Sequence, residues 1–147
     1  MYVEARRRKL LEGLSTVYPI QTLPDSYTIH GIHIPHDMHS LISSDEFISS
    51  GLGYICHFVA ISSKYLSIPV RYRLLCNSSR SAIQSDGFDV YPLFKERVVE
   101  KEQFDLAHMF LQRNIDLLLV GTRRRKKSTN TSRVPLHMLA KLDSLLR

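Results

Sequence analysis

Four histidines recur at a spacing of three residues along one stretch of the chain: His30, His33, His36 and His39. Four imidazoles could together complete the tetrahedral shell of a zinc ion. The surrounding alternation of apolar residues, however, places His30 in a tight turn between two strands. Pro35 then prevents the four side chains from sharing one face. We therefore expect surface and loop histidines, and we predict no metal site and no cofactor.

Cys56 and His57 are the other residues whose chemistry could be reactive. A catalytic thiolate–imidazole pair needs hydrogen-bond reach, but adjacent side chains on a helix point about 100° apart. We interpret Cys56 and Cys76 as reduced thiols, with Cys56 in the core. The sequence contains no glycine-rich phosphate loop, no nucleophile elbow and no paired metal carboxylates. It predicts no catalytic residue and a protein that is not an enzyme.

The charge distribution says more about possible partners than these residues do, because 20 Lys and Arg outnumber 14 Asp and Glu. The excess lies in two basic clusters: residues 6–9, and Arg123, Arg124, Arg125, Lys126 and Lys127. Each basic residue close to an anionic membrane contributes about 1 kcal/mol of attraction. Nucleic acid is the alternative partner, although aromatic residues are not interleaved with the basic runs as a single-strand groove would require. The remaining alternative is that the two clusters bind no partner and are simply a solvated helix end and a solvated tail.

The longest predicted element is an apolar helix from Ser43 to Leu66. Ser43 and Glu46 form a capping box at its start, and Pro69 prevents its continuation. Gly51 and Gly53 each lower helix propensity by about 1 kcal/mol relative to Ala, so another element is expected to cross closely there. A strand should follow from Val70 to Leu75.

The other elements make this an α+β fold with short antiparallel strands and hairpins packed on two long helices and a C-terminal helix. A hairpin should turn at His30-Gly31. A second long helix is expected from Lys95 to Val120, closed by Gly121. Its predicted buried stripe comprises Phe104, Ala107, Phe110 or Leu111, Ile115 and Leu118, widened by Leu106, Met109 and Leu117.

Several separate segments carry a resemblance to a known family. They are Leu52 to Tyr54, Tyr65 to Tyr72, Ser79-Arg80-Ser81, Gln103 to Asp105, Asn114-Ile115, Val17 to Ile20 and Thr28 to Pro35. Together they closely resemble the C-terminal domain of the UV radiation resistance-associated protein (UVRAG) family, which includes fungal counterparts and the autophagy-specific relative Barkor. The resemblance covers roughly residues 10–118. It departs at Asn77-Ser78, and nothing beyond Gly121 matches.

The resemblance implies a β-α repeated, autophagy-specific (BARA-like) domain over residues 17–121. Residues 1–16 would be the end of a longer coiled-coil helix, residues 122–133 a basic flexible segment and residues 134–147 a C-terminal amphipathic helix. Such proteins are non-catalytic subunits of the class III phosphatidylinositol 3-kinase complex. They pair with Beclin, and they serve endosomal sorting and autophagy from the cytoplasm, peripheral on endosome and autophagosome membranes.

Two further residues are candidate contacts with a partner or a membrane. Phe88 lies at the tip of the loop from Gln84 to Val90, beside Asp86-Gly87, where a large apolar group has no evident core partner. Burial under the loop is the alternative. Arg80 belongs to the matched Ser-Arg-Ser segment, and it would either contact a partner or hold the strand turn through backbone hydrogen bonds.

Overall fold

The computed structural model describes residues 2–23, 26–34, 45–96, 99–126, 139, 141 and 142. The helices are α1 (Tyr2–Val17), α2 (Asp45–Leu66) and α3 (Lys101–Lys126). The strands are β1 (Ile20–Leu23), β2 (Ser26–Ile29), β3 (Ile32–Ile34), β4 (Arg73–Leu75), β5 (Ala82–Gln84) and β6 (Val90–Pro92). They form two three-stranded antiparallel sheets, β1-β2-β3 and β4-β5-β6. The predicted α+β class is confirmed.

The first sheet contains the predicted hairpin. Ile29 pairs with Ile32, and the turn between them places His30 at φ 50° and Gly31 at φ 80°. Both central residues of a type I′ turn need positive φ, which glycine adopts without strain. Ile29 and Ile34 are completely buried in the core that α2 completes.

Helix α2 is the central element, and it contacts both sheets, α1 and α3. Its predicted capping residue Ser43 lies outside the described residues, so the capping box stays a prediction. The expected strand from Val70 is shorter than predicted and begins at Arg73. The reason lies at Tyr72, whose backbone N–H donates to Asn114 Oδ1 at 3.1 Å and whose carbonyl accepts from Asn114 Nδ2 at 2.9 Å. A side chain of α3 therefore occupies the backbone groups that a neighbouring strand would use.

The residue pattern favours a strand over residues 78–84, but the segment between β4 and β5 is a 3₁₀ turn (Ser78–Arg80) and the strand is confined to β5. Ser81 fixes this turn, because its hydroxyl donates to the Ser78 carbonyl at 2.9 Å and accepts from the Asn77 N–H at 3.0 Å. A serine that bonds nearby backbone groups in this way competes with strand pairing.

Helix α3 begins later and ends later than predicted. Lys95 is not helical; its backbone N–H donates to Ser49 Oγ of α2 at 2.8 Å, which holds the preceding loop against that helix. The helix also continues through Gly121 to Lys126, so the prediction of a helix end at Gly121 is wrong. A β-carbon at Gly121 would lie 2.7 Å from Ile68 Cδ1, so this glycine serves close packing. The predicted buried stripe is confirmed for Phe104, Ala107, Leu111, Ile115 and Leu118.

Three residues of the predicted C-terminal helix are described. Leu139 and Leu142 are buried in the core, and Lys141 Nζ lies 2.8 Å from Asp116 Oδ1 of α3. None of the described helices is long and apolar enough to cross a membrane.

Candidate functional site

The outer face of α3 carries a row of partly exposed apolar side chains, here called the apolar stripe. Leu106 is 38%, Met109 36%, Leu117 40% and Val120 48% exposed. Successive residues of a helix are rotated by about 100°, so these four positions lie within one narrow sector, with the exposed Arg113 at its centre. Such a face on a helix that already buries its other side is typical of a surface that meets a partner.

Sequence reasoning missed the apolar stripe. It assigned Leu106, Met109 and Leu117 to the margin of the buried stripe, and the structure shows this to be wrong. On a helix Leu106 lies about 140° from Leu111, so a projection down the axis separates two apolar faces. A helical projection of residues 104–120 could therefore have revealed the second apolar face from the sequence alone.

A second exposed apolar group lies at the tip of the β5–β6 hairpin. Phe88 is 81% exposed and Val90 54% exposed, which rules out the burial of Phe88 under the loop. Phe88 has φ 67°, its N–H donates to the Ser85 carbonyl at 3.0 Å, and its own carbonyl accepts from Gln84 Nε2 at 3.3 Å. An aromatic residue in this left-handed region is strained by about 1–2 kcal/mol. The hairpin thus holds an apolar ring in solvent despite a local energetic cost.

Arg80 contacts both the backbone of its own turn and the loop before α3. Its guanidinium forms an ion pair with Glu96 and lies over the Phe94 ring, 4.8 Å from the centroid. The side chain therefore ties the 3₁₀ turn to the loop before α3. The backbone N–H of Arg80 donates to the Asn77 carbonyl at 2.9 Å within the turn, as one of the two alternatives predicted. Contact of Arg80 with a partner stays a prediction.

The two basic clusters fall on different helices. The backbone at Arg123, Arg124, Arg125 and Lys126 continues α3, and Lys127 lies outside the described residues. On α1, Arg6 and Lys9 border an open groove of about 640 Å³ between α1 and α2. Its apolar lining comprises Leu10, Leu14, Val17, Ile61 and Tyr65. Membrane contact by either cluster stays a prediction.

The histidine series does not form a common site in the described part of the chain. The His30 ring lies 5.0 Å from the Tyr54 ring and 6.3 Å from the Tyr18 ring, between centroids. His33 lies on β3, while His36 and His39 are outside the described residues. Within residues 2–23, 26–34, 45–96 and 99–126, no group of three or more His, Cys, Asp or Glu side chains could hold a metal ion.

A cavity of about 450 Å³ opens beside these rings. It is lined by Tyr18, Ser50, Gly53, Tyr54, His57, Cys76, Ser78 and Ser79. Tyr18 shares a hydrogen bond with His57 Nδ1, and burial, followed by the neighbouring Tyr54 and Cys76, raises the pKa of the Tyr18 phenol. The expected independence of Cys56 and His57 is seen, because His57 bonds Tyr18 while Cys56 contacts Cys76.

The pairing of Cys56 with Cys76 was not predicted. Their sulfur atoms lie 3.4 Å apart, and both thiols are free, with Cys56 buried and Cys76 exposed. The hydrogen bond from the Cys56 thiol, together with the Lys64 charge, lowers the pKa of Cys76 to about 7, although partial burial opposes the shift. The same contact and burial raise the pKa of Cys56. A chain that turns back after a helix can bring such residues together, but the sequence does not give the register.

The described part of the chain is an α+β domain that exposes apolar side chains on α3 and at the β5–β6 hairpin, and basic side chains on α1. Comparison with known proteins identifies its relatives. It is 33% identical over 118 residues to the UV radiation resistance-associated protein of Mus musculus, a match over 75% of this chain and 17% of that protein. It is also 33% identical over 79 residues to vacuolar protein sorting-associated protein 38 of Schizosaccharomyces pombe, over 52% of this chain and 16% of that protein. No family model matches the chain.

Over the matched stretch, the chain belongs to the UV radiation resistance-associated protein family, as the sequence motifs predicted. It spans 17% and 16% of the length of these two relatives.

Proposed function

We propose that this chain is a non-catalytic regulatory or scaffold domain of a class III phosphatidylinositol 3-kinase complex. In this proposal it pairs with Beclin and assists recruitment of the complex to anionic membranes in autophagy and endosomal sorting. It would work from the cytoplasm, peripheral on endosome and autophagosome membranes. Membership of the UVRAG family supports the assignment, and the apolar stripe on α3 is the structural observation that carries it.

The apolar stripe suits a helical or extended protein partner. Its four residues recur at helical spacing, the pattern used when one amphipathic surface docks into another. Complete burial of a large apolar side chain contributes about 1.5–3 kcal/mol, and each of these residues retains part of that gain for a partner. Arg113 at the centre adds a charged group, the kind of residue that often dominates the energy of an interface.

Membrane recruitment rests on a different set of residues. Phe88 and Val90 hold apolar groups in solvent at a hairpin tip, and the cluster at residues 123–127 supplies positive charge. Apolar insertion combined with attraction to anionic lipid is how peripheral proteins hold a membrane reversibly. A basic nucleic-acid-binding module is the alternative that the same charge would serve.

The proposal is tested by co-purification of the chain with a Beclin fragment that contains its coiled coil and BARA-like domain. The double substitution Met109→Arg with Leu117→Arg places two charges on the apolar stripe and should reduce retention of Beclin at least tenfold. Gln21→Arg, at an exposed position of β1, adds charge away from α3 and serves as the control. Equal retention by all three proteins would contradict the assignment of this face.

The alternative function needs a separate measurement. Titration with single- and double-stranded oligonucleotides at two salt concentrations should show weak binding alone. Submicromolar binding with a steep salt dependence, together with no retention of Beclin, would favour the nucleic-acid-binding function.

A further inference from the structure

Cys56 and Cys76 form an asymmetric pair of thiols. Cys56 is completely buried on α2, whereas Cys76, directly after β4, is exposed. The distance between the sulfur atoms is 3.4 Å, compared with about 2.05 Å in a disulfide. Bond formation therefore requires the two sulfur atoms to approach by little more than an ångström.

Only one of the two thiols has a route to solvent. Cys76 lines the cavity of about 450 Å³ together with Tyr54, His57 and Ser79. A small oxidant can reach its sulfur, while the complete burial of Cys56 protects that thiol from direct attack. This division gives each thiol a separate role, one that reacts first and one that resolves the product.

The surroundings also favour thiolate at the exposed position. The Cys56 thiol can donate its hydrogen bond to Cys76, and the ammonium of Lys64 attracts negative charge there. These two effects lower the pKa of Cys76 to about 7, so a large share is ionised at neutral pH. Thiolate is the form that attacks peroxides and disulfides.

We propose that Cys56 and Cys76 are a redox-modification site that a hydroperoxide such as hydrogen peroxide converts into a reversible intrachain disulfide. The Cys76 thiolate attacks one peroxide oxygen, the O–O bond breaks, and the product is a sulfenic acid with release of hydroxide, which takes up a proton. The Cys56 sulfur then attacks the Cys76 sulfur, the S–O bond breaks, and water leaves with the Cys56 proton. Two electrons pass from the two sulfurs to the peroxide, and a dithiol reductant returns them.

The disulfide would join α2 covalently to the segment after β4, at a point where the two already lie in contact. Cys76 lies two residues before Ser78, whose carbonyl oxygen lies against Gly53 of α2. A covalent bond between Cys56 and Cys76 would close the intervening loop in both the folded and the unfolded chain. Because cross-links restrict the unfolded state, oxidation should raise the melting temperature by several degrees. It should also slow amide exchange at residues 76–81.

The experiment treats the purified full chain with graded hydrogen peroxide at pH 7 and then blocks the remaining thiols. The expected result is loss of both free thiols, loss of two hydrogen atoms in mass, and a peptide joining Cys56 to Cys76. A dithiol reductant should reverse all three changes, and the melting temperature should follow. Intermolecular dimers through Cys76, or two free thiols at peroxide concentrations that oxidise glutathione, would overturn the proposal.

Two single variants separate the roles of the thiols. Cys56→Ser should leave Cys76 as a sulfenic acid that a dimedone probe labels, because the resolving sulfur is gone. Cys76→Ser removes an exposed group, should fold normally, and should leave Cys56 unreacted. Rapid oxidation of Cys56 in Cys76→Ser would contradict the division of roles.

Discussion

A single buried side chain, Asn114, joins α3 to the backbone before β4. Its amide accepts from the Tyr72 N–H and donates to the Tyr72 carbonyl, so it satisfies both polar groups of one residue. Asn114 is completely buried, and the Tyr72 ring packs 4.5 Å from the Phe110 ring, between centroids. The Asn114-Ile115 pair of the family motif therefore has a structural role: it docks a helix onto a chain segment that is not in a sheet.

Asn114→Ala should lower the free energy of unfolding by more than the loss of a surface amide would. Each buried backbone group left without a partner costs about 1–3 kcal/mol, and the substitution leaves two. Urea denaturation measures the change. Gln103→Ala, at an exposed position on the same helix, is the control and should change stability by less than about 0.5 kcal/mol. Equal midpoints for the two variants would refute the role assigned to Asn114.

Gly53 provides a second test at the scale of one residue. A β-carbon there would lie 1.9 Å from the Ser78 carbonyl oxygen, which confirms the close crossing predicted from the sequence. Because the obstacle is backbone, Gly53→Ala should lower the free energy of unfolding by about 1–3 kcal/mol. Gly13→Ala on α1 meets no atom within 4 Å, and it should instead raise stability by up to about 1 kcal/mol. Thermal melts of both variants distinguish them, and a stabilised Gly53→Ala protein would exclude the crossing.

The lowered pKa of Cys76 predicts a particular pH dependence. Alkylation of Cys76 by iodoacetamide should rise through a midpoint near pH 7, because the thiolate is the reactive form. Cys56→Ala removes the thiol donor that stabilises the thiolate, so the midpoint should move to higher pH. Cys56→Ser keeps a donor and should move it less. The three profiles are read by mass spectrometry, and a midpoint unaffected by Cys56→Ala would show that the contact does not tune Cys76.

At the scale of elements, the β5–β6 hairpin combines an exposed ring with a strained backbone. Residues held in such conformations often serve a functional contact. Arg71 and Asp86 support the hairpin by an ion pair of 2.9 Å, although both side chains are mostly exposed and the pair contributes little stability.

Phe88→Ala should therefore change the free energy of unfolding by less than about 0.5 kcal/mol, as expected of an exposed site. Its binding to liposomes containing phosphatidylserine should nevertheless fall severalfold. Phe88→Gly also relieves the positive φ and should be at least as stable as the parent protein. A loss of about 3 kcal/mol in Phe88→Ala would contradict the exposed position. Unchanged liposome binding would remove the membrane role.

The elements themselves could be predicted well from local patterns. Alternating apolar residues around His30-Gly31 fixed the hairpin, and the periodicity of residues 104–118 gave the buried face of α3. These features depend on one segment alone. The boundaries failed where a distant partner decides the outcome, as Asn114 does for the start of β4 and Ser49 for the loop at Lys95.

The candidate sites, too, could be predicted where they depend on one segment and could not where they depend on contacts between distant segments. Exposure of Phe88 could be argued from the turn residues beside it, and the nature of the basic clusters from composition. The pairing of Cys56 with Cys76, the cavity beside them and the ion pair of Arg80 depend on tertiary register, which a single sequence does not supply. Gly121 was misassigned because a glycine near a helix end usually marks a C-cap. Here the glycine is required because a β-carbon would clash with the Ile68 side chain.

At the scale of the whole molecule, charge should govern how the chain meets a membrane. Neutralising Arg123, Arg124, Arg125, Lys126 and Lys127 together should weaken flotation with liposomes that contain phosphatidylserine or phosphoinositide. The loss should be largest at low salt, because exposed charges are screened over about 8–10 Å near physiological ionic strength. Folding should be unaffected, which circular dichroism can check. Binding that persists in this variant, or that is insensitive to salt in the parent protein, would assign these residues to solubility alone.

Gly51 and Gly53 contact different neighbours within a single turn of α2. A β-carbon at Gly51 would lie 2.3 Å from Ile34 Cδ1 of the first sheet, and one at Gly53 would lie 1.9 Å from Ser78 of the 3₁₀ turn. Two residues apart on a helix means nearly opposite sides. The two close contacts together fix both the position of α2 along its axis and its rotation about that axis. Because one contact involves the first sheet and the other involves the turn between β4 and β5, a shift of α2 would disturb the packing of both sheets.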